Sequence, residues 1–285
     1  MPTTDAVNAY RPLLFSIAYR MTGEVMTSED IVQDTLTNWL SRPSESIQDV
    51  KAYLAKSVIH ASLNHLNAVK RQREAYKGTW LPEPVVSPHP VLEARLDISY
   101  GLLLLLEKLS PLERAIFLLK ESFELTYSEL ADQFDITEAH CRQLYHRAKE
   151  KVAGSGRRFT LDPDQQQTLL DAFSKASATG DIDSLMQLLK TDVVLYSDGG
   201  GKVPTAINPL FGRTVVERYL RSILDKRGPQ LTARLALING SIAFLFSDRD
   251  TQTLTTVMVL DIDEQGIGHI FSLRNPDKLT HLQKK

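Results

Sequence analysis

At 285 residues, with 33 lysines and arginines against 35 aspartates and glutamates, the chain is longer than one core commonly uses and is close to electrically balanced, so two or three domains with locally concentrated charge are expected. Its one cysteine, Cys141, excludes an intramolecular disulfide and a cysteine-rich zinc site, as expected of a protein of the reducing cytoplasm. No apolar run reaches the length of a membrane span, and the N-terminus lacks the basic start and apolar core of a signal peptide.

Residues 1 to about 77 read as helix throughout, broken near Met21–Thr27 and near Arg42–Ser46. The charge reverses along this stretch. Residues 1–50 are acidic, with Glu29, Asp30 and Asp34 close together, whereas residues 51–77 carry Lys51, Lys56, Lys70, Arg71, Arg73 and Lys77 against Glu74, interleaved with Tyr53, His60, Asn64, His65, Asn67 and Tyr76. Cations in such a helix can hold phosphates while aromatic and amide groups engage unstacked bases. Either helix alone is equally consistent with a solvated amphipathic face. From residue 78 to 90 the composition changes: Pro82, Pro84, Pro88 and Pro90 hold the chain extended, and Trp80 and Leu81 give this linker something to bury.

A helical segment resumes near Val91, with Leu102–Leu106 as a buried helix centre, and Ser110-Pro111-Leu112-Glu113 has the capping serine, first-turn proline and third-position glutamate of a helix start. Tyr127–Val152 then reads as a helix-turn-helix. Thr126 and Glu129 can cap its first helix, Leu130, Ala131 and Phe134 supply an inward stripe, and the turn falls at Asp135 and Ile136. Thr137 can cap a second helix in which Ala139, Cys141, Leu144 and Ala148 are small or apolar, leaving Glu138, His140, Arg142, Gln143, His146, Arg147 and Lys149 outward. That face suits a DNA major groove; the alternative is an ordinary helical hairpin.

After a second linker, Gly154–Asp164, the segments Gln165–Ala178, Ile182–Leu189 and Thr214–Leu224 read as helices. From Leu231 the chain reads as strands: Asn239-Gly240 is a two-residue hairpin signal, and Asp263–Gly266 separates two further strands. The last part is therefore an α+β domain.

Four blocks in order, SEDIVQDTLTNWL, VKAYLAKSVIHASLNHLNAVKRQRE, LSPLERAIFLL and the helix-turn-helix, resemble those of bacterial sigma factors of the extracytoplasmic-function type. The resemblance covers about the first 155 residues and implies two all-α sigma domains, residues 1–77 and 91–155, joined by the linker 78–90. It implies that Glu29, Asp30, Gln33 and Asp34 contact core RNA polymerase. It places His60, Asn64 and His65 near the melted strand of the −10 element, with Lys70, Arg71 and Arg73 on phosphates. At Asn64 and His65 the family more usually has Asp and Arg, which leaves the −10 preference open. In the helix-turn-helix, which reads the −35 element in that family, Arg142, Gln143 and His146 are candidate base readers, Arg147 and Lys149 suit phosphates, and His140 belongs to the same surface.

Three further blocks, Trp80-Leu81-Pro82-Glu83-Pro84, Asp198-Gly199-Gly200-Gly201-Lys202 and Asn275-Pro276-Asp277-Lys278-Leu279, are similar to those of the subgroup carrying a fused SnoaL-like cone domain, here residues 163–285. The resemblance implies regulation in cis through contact of that domain with the linker or the sigma domains. Physically, a proline-stiffened strip loses little entropy on docking, and docking fixes the spacing of two DNA-binding parts. Against this, Trp80 could anchor on the N-terminal helices and the Asn275 block could be a plain turn. Asp198 and Lys202 are available as a surface pair or an interdomain contact. The glycine run lacks phosphate-loop spacing, and no cofactor or metal is expected.

Two rival readings differ in class. Cyclases and isomerases of the cone fold use an Asp/His pair, for which Asp198, Tyr196 and His269 are the candidates here; no catalysis is expected, although the cone could hold a small ligand. The other rival is a DNA-binding regulator that never touches polymerase.

Overall fold

The computed structural model describes residues 8–41, 47, 49–86, 100–153 and 183–283. The break expected near 42–46, the whole of the second linker, the helix 165–178 and the start of the helix near Val91 lie outside the described residues. The chain divides into two compact units: Met1–Glu74 with Leu92–Gly156, and Ala75–Val91 with Arg157–Lys285.

The first unit is helical. Helix α1 (Arg11–Thr22) stops at Gly23, whose φ of 70° takes the left-handed conformation that an end without a side chain permits, and its N–H donates to Tyr19 O at 2.8 Å. Helix α2 (Val25–Ser41) buries Ile31, Val32, Thr35, Leu36 and Trp39 at helical spacing. Helix α3 (Val50–Glu74) buries Leu54, Ala55, Val58, Ile59, Ser62 and Leu66 in the same way. After the linker come α4 (Tyr100–Leu106), α5 (Pro111–Phe123), α6 (Tyr127–Phe134) and α7 (Glu138–Val152). One apolar core runs through both helical groups, from Leu14, Leu36 and Val58 to Ile116, Leu130, Cys141 and Ala148.

The expected caps form. Ser110 with Glu113, and Thr126 with Glu129, each make the reciprocal pair of side-chain to backbone bonds, and Thr137 accepts from His140 N at 3.2 Å. Asp135 takes a φ of 52° in the turn. Ala139, expected inward, is exposed; Tyr145 takes that role beside Cys141, Leu144 and Ala148. The 3.6-residue period explains this, since 141, 144, 145, 148 and 152 share one stripe and 139 falls off it.

The second unit contains a short helix α8 (Asp183–Gln187), then β1 (Leu189–Asp198), β2 (Leu210–Phe211), α9 (Arg213–Arg227) and four strands, β3 (Leu231–Ile238), β4 (Ser241–Asp248), β5 (Leu254–Asp263) and β6 (Gly266–Leu273). The sheet order is β2-β1-β6-β5-β4-β3, with β1 parallel to β6 and the other pairs antiparallel. Asn239 and Gly240, at φ 50° and 72°, make the expected tight hairpin. Strand β1 corrects the expectation that strands begin only at Leu231: helix α8 ends early and Leu189 opens a strand in which Val193 and Leu195 are fully buried. Leu189, Leu195, Val216, Leu220, Phe244, Leu260, Ile267 and Ile270 form the core. The domain is thus α+β, a mixed sheet with α9 packed on β1.

Candidate functional sites

On α2, Glu29, Asp30, Gln33 and Asp34 are all exposed because the opposite stripe is buried. Met26 and Leu40 are exposed as well, at 57% and 43%. Met26, Asp30, Gln33, Thr37 and Leu40 follow three- and four-residue steps, so an acidic patch lies between two apolar ends on one helical surface. The apolar ends were not anticipated, although the spacing that reveals them is in the sequence. Arg11 donates to Gln33 Oε1 at 2.5 Å.

On α3 the six expected side chains separate into two groups. Asn64, Lys70 and Arg71 are exposed, and the pair of Lys70 with Glu74 is loose at 3.9 Å. Arg73 is instead built into the fold: it donates to Glu24 Oε1 and Glu107 Oε2, each at 2.8 Å, and to Thr22 O at 2.5 Å. Arg114, almost fully buried, donates to Met21 O and to Glu107 Oε1, the latter at 2.7 Å. His65 joins the cluster through Glu24 Oε2 at 3.1 Å. Burial alone would raise the Glu24 carboxyl, but His65 and Arg73 hold it down at about 2. In this arrangement Arg73 is engaged within the fold, by Glu24, Glu107 and Thr22 O. His60 lies 5.6 Å from Phe134 of α6, the rings tilted at 44°, and bonds Gln133, so α6 partly covers it.

Helix α7 presents His140, Arg142, Gln143, His146, Arg147 and Lys149 to solvent together. The buried stripe of Cys141, Leu144, Tyr145 and Ala148 forces this, and Tyr145 is tied down by its hydroxyl bond to Glu121, which lifts its pKa to about 12. Arg142 pairs loosely with Glu138 at 3.2 Å and lies over the Tyr127 ring at 5.3 Å. Arg147 and Lys151 reach Glu113 at 3.3 and 2.9 Å, so the glutamate that caps α5 also ties α5 to α7.

In the second unit the three quoted blocks converge. Asp198, fully buried, receives Lys278 Nζ at 2.8 Å and Leu81 N–H at 2.9 Å on Oδ2, and the Tyr76 hydroxyl at 2.5 Å on Oδ1. Lys278 Nζ also donates to Leu81 O at 2.6 Å and lies over the Trp80 ring at 3.8 Å. Both polar groups of Leu81 are therefore held by one ion pair. Farther along the strip, Val85 N–H donates to Asn239 Oδ1 at 3.0 Å, Asn239 N–H to Val85 O at 2.9 Å, and His281 meets Pro84 O at 2.7 Å. The glycine run fits around this: a Cβ on Gly200, already at φ 62°, would sit 2.4 Å from Asn275 Nδ2. Asp198 and Lys202 do not pair with each other; Lys202 pairs with Asp277 at 2.5 Å on the surface. Tyr76, assigned from sequence to the DNA-facing helix, belongs to this network, where burial and then Asp198 raise its phenol well above the ordinary range. His281 and Asn239 were not foreseen.

The acid/base candidates of the cone do not converge. His269 pairs with Asp261 at 2.9 Å, about half exposed, Tyr196 stacks on His269 and Phe271, and Asp198 is engaged with the strip. None of the three lines the cavity between α9 and the sheet, whose described walls are mainly apolar.

A family model described as Sigma-70 region 2 matches residues 6–72, and one described as Sigma-70, region 4 matches residues 101–152. The chain is 32% identical over 286 residues to ECF RNA polymerase sigma factor SigJ of Mycobacterium tuberculosis (strain ATCC 25618 / H37Rv), covering 95% of this chain and 91% of that one. It is also 32% identical to a probable ECF RNA polymerase sigma factor SigI of Mycobacterium tuberculosis (strain CDC 1551 / Oshkosh), covering 99% and 96%. The crystal structure of the Mycobacterium tuberculosis extracytoplasmic function sigma factor SigJ matches with a TM-score of 0.77 at 30% identity over 98% of each chain. Among the described residues no helix is long and apolar enough to cross a membrane.

Proposed function

Because the chain belongs to the extracytoplasmic-function RNA polymerase sigma factors, and so binds core polymerase and promoter DNA to direct transcription initiation, we propose how its parts divide that work. The exposed acidic surface of α2, Glu29, Asp30, Gln33 and Asp34 with Met26 and Leu40, docks on polymerase. Asn64, Lys70 and Arg71 of α3 meet the −10 element, and Arg142, Gln143 and His146 of α7 read the −35 element, with Arg147 and Lys149 on phosphates. Arg73 supports α3 and its neighbours. The cone domain carries no catalysis and acts on the sigma parts in cis.

The observation that supports control in cis is the grip of Asp198 and Lys278 on Leu81. The strip begins where α3 ends and leads on to the helices that carry α7, so holding it shortens the free tether between the two DNA-binding parts. A shorter tether narrows the promoter spacings that both can meet at once. A second requirement comes from His60: Phe134 and Gln133 of α6 hold one side of its ring, so α6 must shift from α3 if His60 is to meet a base of the −10 element. Reconstituted transcription by core polymerase with the whole chain and with Lys278→Met tests this reading. Altered output or spacing preference supports it, and identical transcription rejects control through the strip.

A further inference from the structure

The cavity of the second unit has a volume of about 950 Å³, in the range of pockets that enclose small organic ligands. Its wall is built from Leu189, Leu220, Phe244, Met258, Ile267 and Ile270 on β1, α9, β4, β5 and β6. Five of these six side chains are less than a tenth exposed, so the surface they turn to the cavity is out of bulk water. An apolar cavity of this size takes an apolar body.

The polar side of the wall is cationic. Arg221, Arg227, Arg249 and Arg274 line it against Asp183 and Asp225 among the described residues, and Arg221 is already paired with Asp183 at 2.5 Å. Arg274, just after β6, is half-buried. It donates to Pro204 O at 2.6 Å, and among the described residues no carboxylate lies within ion-pair distance of it. Burial first, and then the like charge of Arg227, work against its proton. A half-buried guanidinium with a second one nearby and no ion pair of its own among the described residues is short of an anion, while Asp248 lies near enough to Arg227 to feel its charge. Ser272, buried at the same wall, adds a hydroxyl.

We propose that this cavity binds an amphipathic monoanion of the long-chain carboxylate class, its head group on Arg274 and Arg227 and its chain among Leu220, Phe244, Met258 and Ile270. The head group replaces solvent at two cations while the chain fills space that water occupies poorly. The position also matters for the rest of the unit. Arg274 N–H and Asn275 N–H both donate to Asp198 O, at 2.7 and 2.9 Å, so the bound head group lies one peptide from the turn that holds the strip.

The test is calorimetric titration of the full chain with decanoate, dodecanoate and the uncharged decanol, each below its micelle-forming concentration. Decanoate is expected to bind with a stoichiometry near one, and roughly tenfold to a hundredfold more tightly than decanol, the range for a charge-assisted contact. Dodecanoate should gain about fourfold per added methylene. Arg274→Met should erase the preference for the acid while leaving decanol binding in place. Arg227→Met, at the half-exposed end of α9 where folding is little at risk, should reduce the same preference several-fold. Equal binding of acid and alcohol, absence of saturable binding by either acid, or an unchanged preference in both variants overturns the proposal.

Discussion

Lys278 Nζ stands 2.8 Å from Asp198 Oδ2 and 2.6 Å from Leu81 O, while Asp198 Oδ2 accepts Leu81 N–H at 2.9 Å. Two residues 80 positions apart thus close on the backbone of a third, more than a hundred positions upstream. Both charged side chains are nearly excluded from water, at 7% and 0% exposure. Such a pair adds little net stability over an apolar replacement, yet removing one partner leaves a buried charge uncompensated. Its use is specificity: it fixes which part of the linker docks and in which register.

Lys278→Met or Asp198→Asn is therefore expected to destabilise the second unit by about 3–5 kcal/mol and to release the strip. Trp80 reports this, because its ring lies 3.8 Å from Lys278 Nζ. With Trp39→Phe leaving Trp80 as the single tryptophan, its emission should shift to longer wavelength in either variant under native conditions. An unshifted spectrum would show that the strip is held by other contacts.

The Glu24 cluster makes the first unit sensitive to acid. Its carboxyl is lowered from 4.5 to about 2 in the folded chain, so the stabilisation is present above the unfolded value and is lost as pH falls from 4.5 toward 2. The contribution is at most about 3 kcal/mol. Urea unfolding followed through Trp39, in a Trp80→Phe background, should lose this stability between pH 5 and roughly pH 2. Glu24→Gln should be less stable at neutral pH and should show a flatter pH dependence. A parallel pH profile for the two proteins would remove the cluster as its cause.

On DNA, Arg142→Ala should relax the preference at one −35 base pair by about 1–3 kcal/mol. Lys149→Ala should weaken binding evenly across sequences and lower the salt slope by about one. Lys70 and Arg73 should also differ: Lys70→Ala weakens DNA binding with little effect on unfolding, whereas Arg73→Ala destabilises the first unit, since its guanidinium holds Thr22, Glu24 and Glu107. Equal stability of those two variants would contradict the structural role given to Arg73.

Asp30→Arg and Gln33→Ala lie on an exposed surface, so the folded chain should keep its stability within about 0.5 kcal/mol. Co-purification with core polymerase should fall sharply for Asp30→Arg. Full retention of polymerase by both variants would move the docking surface elsewhere.

Local chemistry made much of this legible. Ser110 with Glu113 and Thr126 with Glu129 mark helix starts because the reciprocal bonds need only four residues, and Asn239-Gly240 marks a hairpin because two left-handed residues are required there. Strand β1 was missed because its parallel partner β6 comes some seventy residues later, so no turn beside it announces pairing. The fate of Arg73 could not be read from a basic run: its partners Glu24 and Glu107 lie 49 and 34 positions away. Tyr76 was assigned to the wrong neighbourhood for the same reason, its partners standing 122 and 199 positions downstream. The motifs around Trp80, Asp198 and Asn275 pointed to contact, but their shared geometry required the fold.

The most direct test of strip-controlled promoter spacing is run-off transcription by core polymerase with the purified chain, on templates that differ only in the distance between the −35 and −10 elements. The wild-type chain should favour one distance sharply, and Lys278→Met should initiate over a wider range with a lower peak. A spacing profile that is the same for both proteins would contradict it.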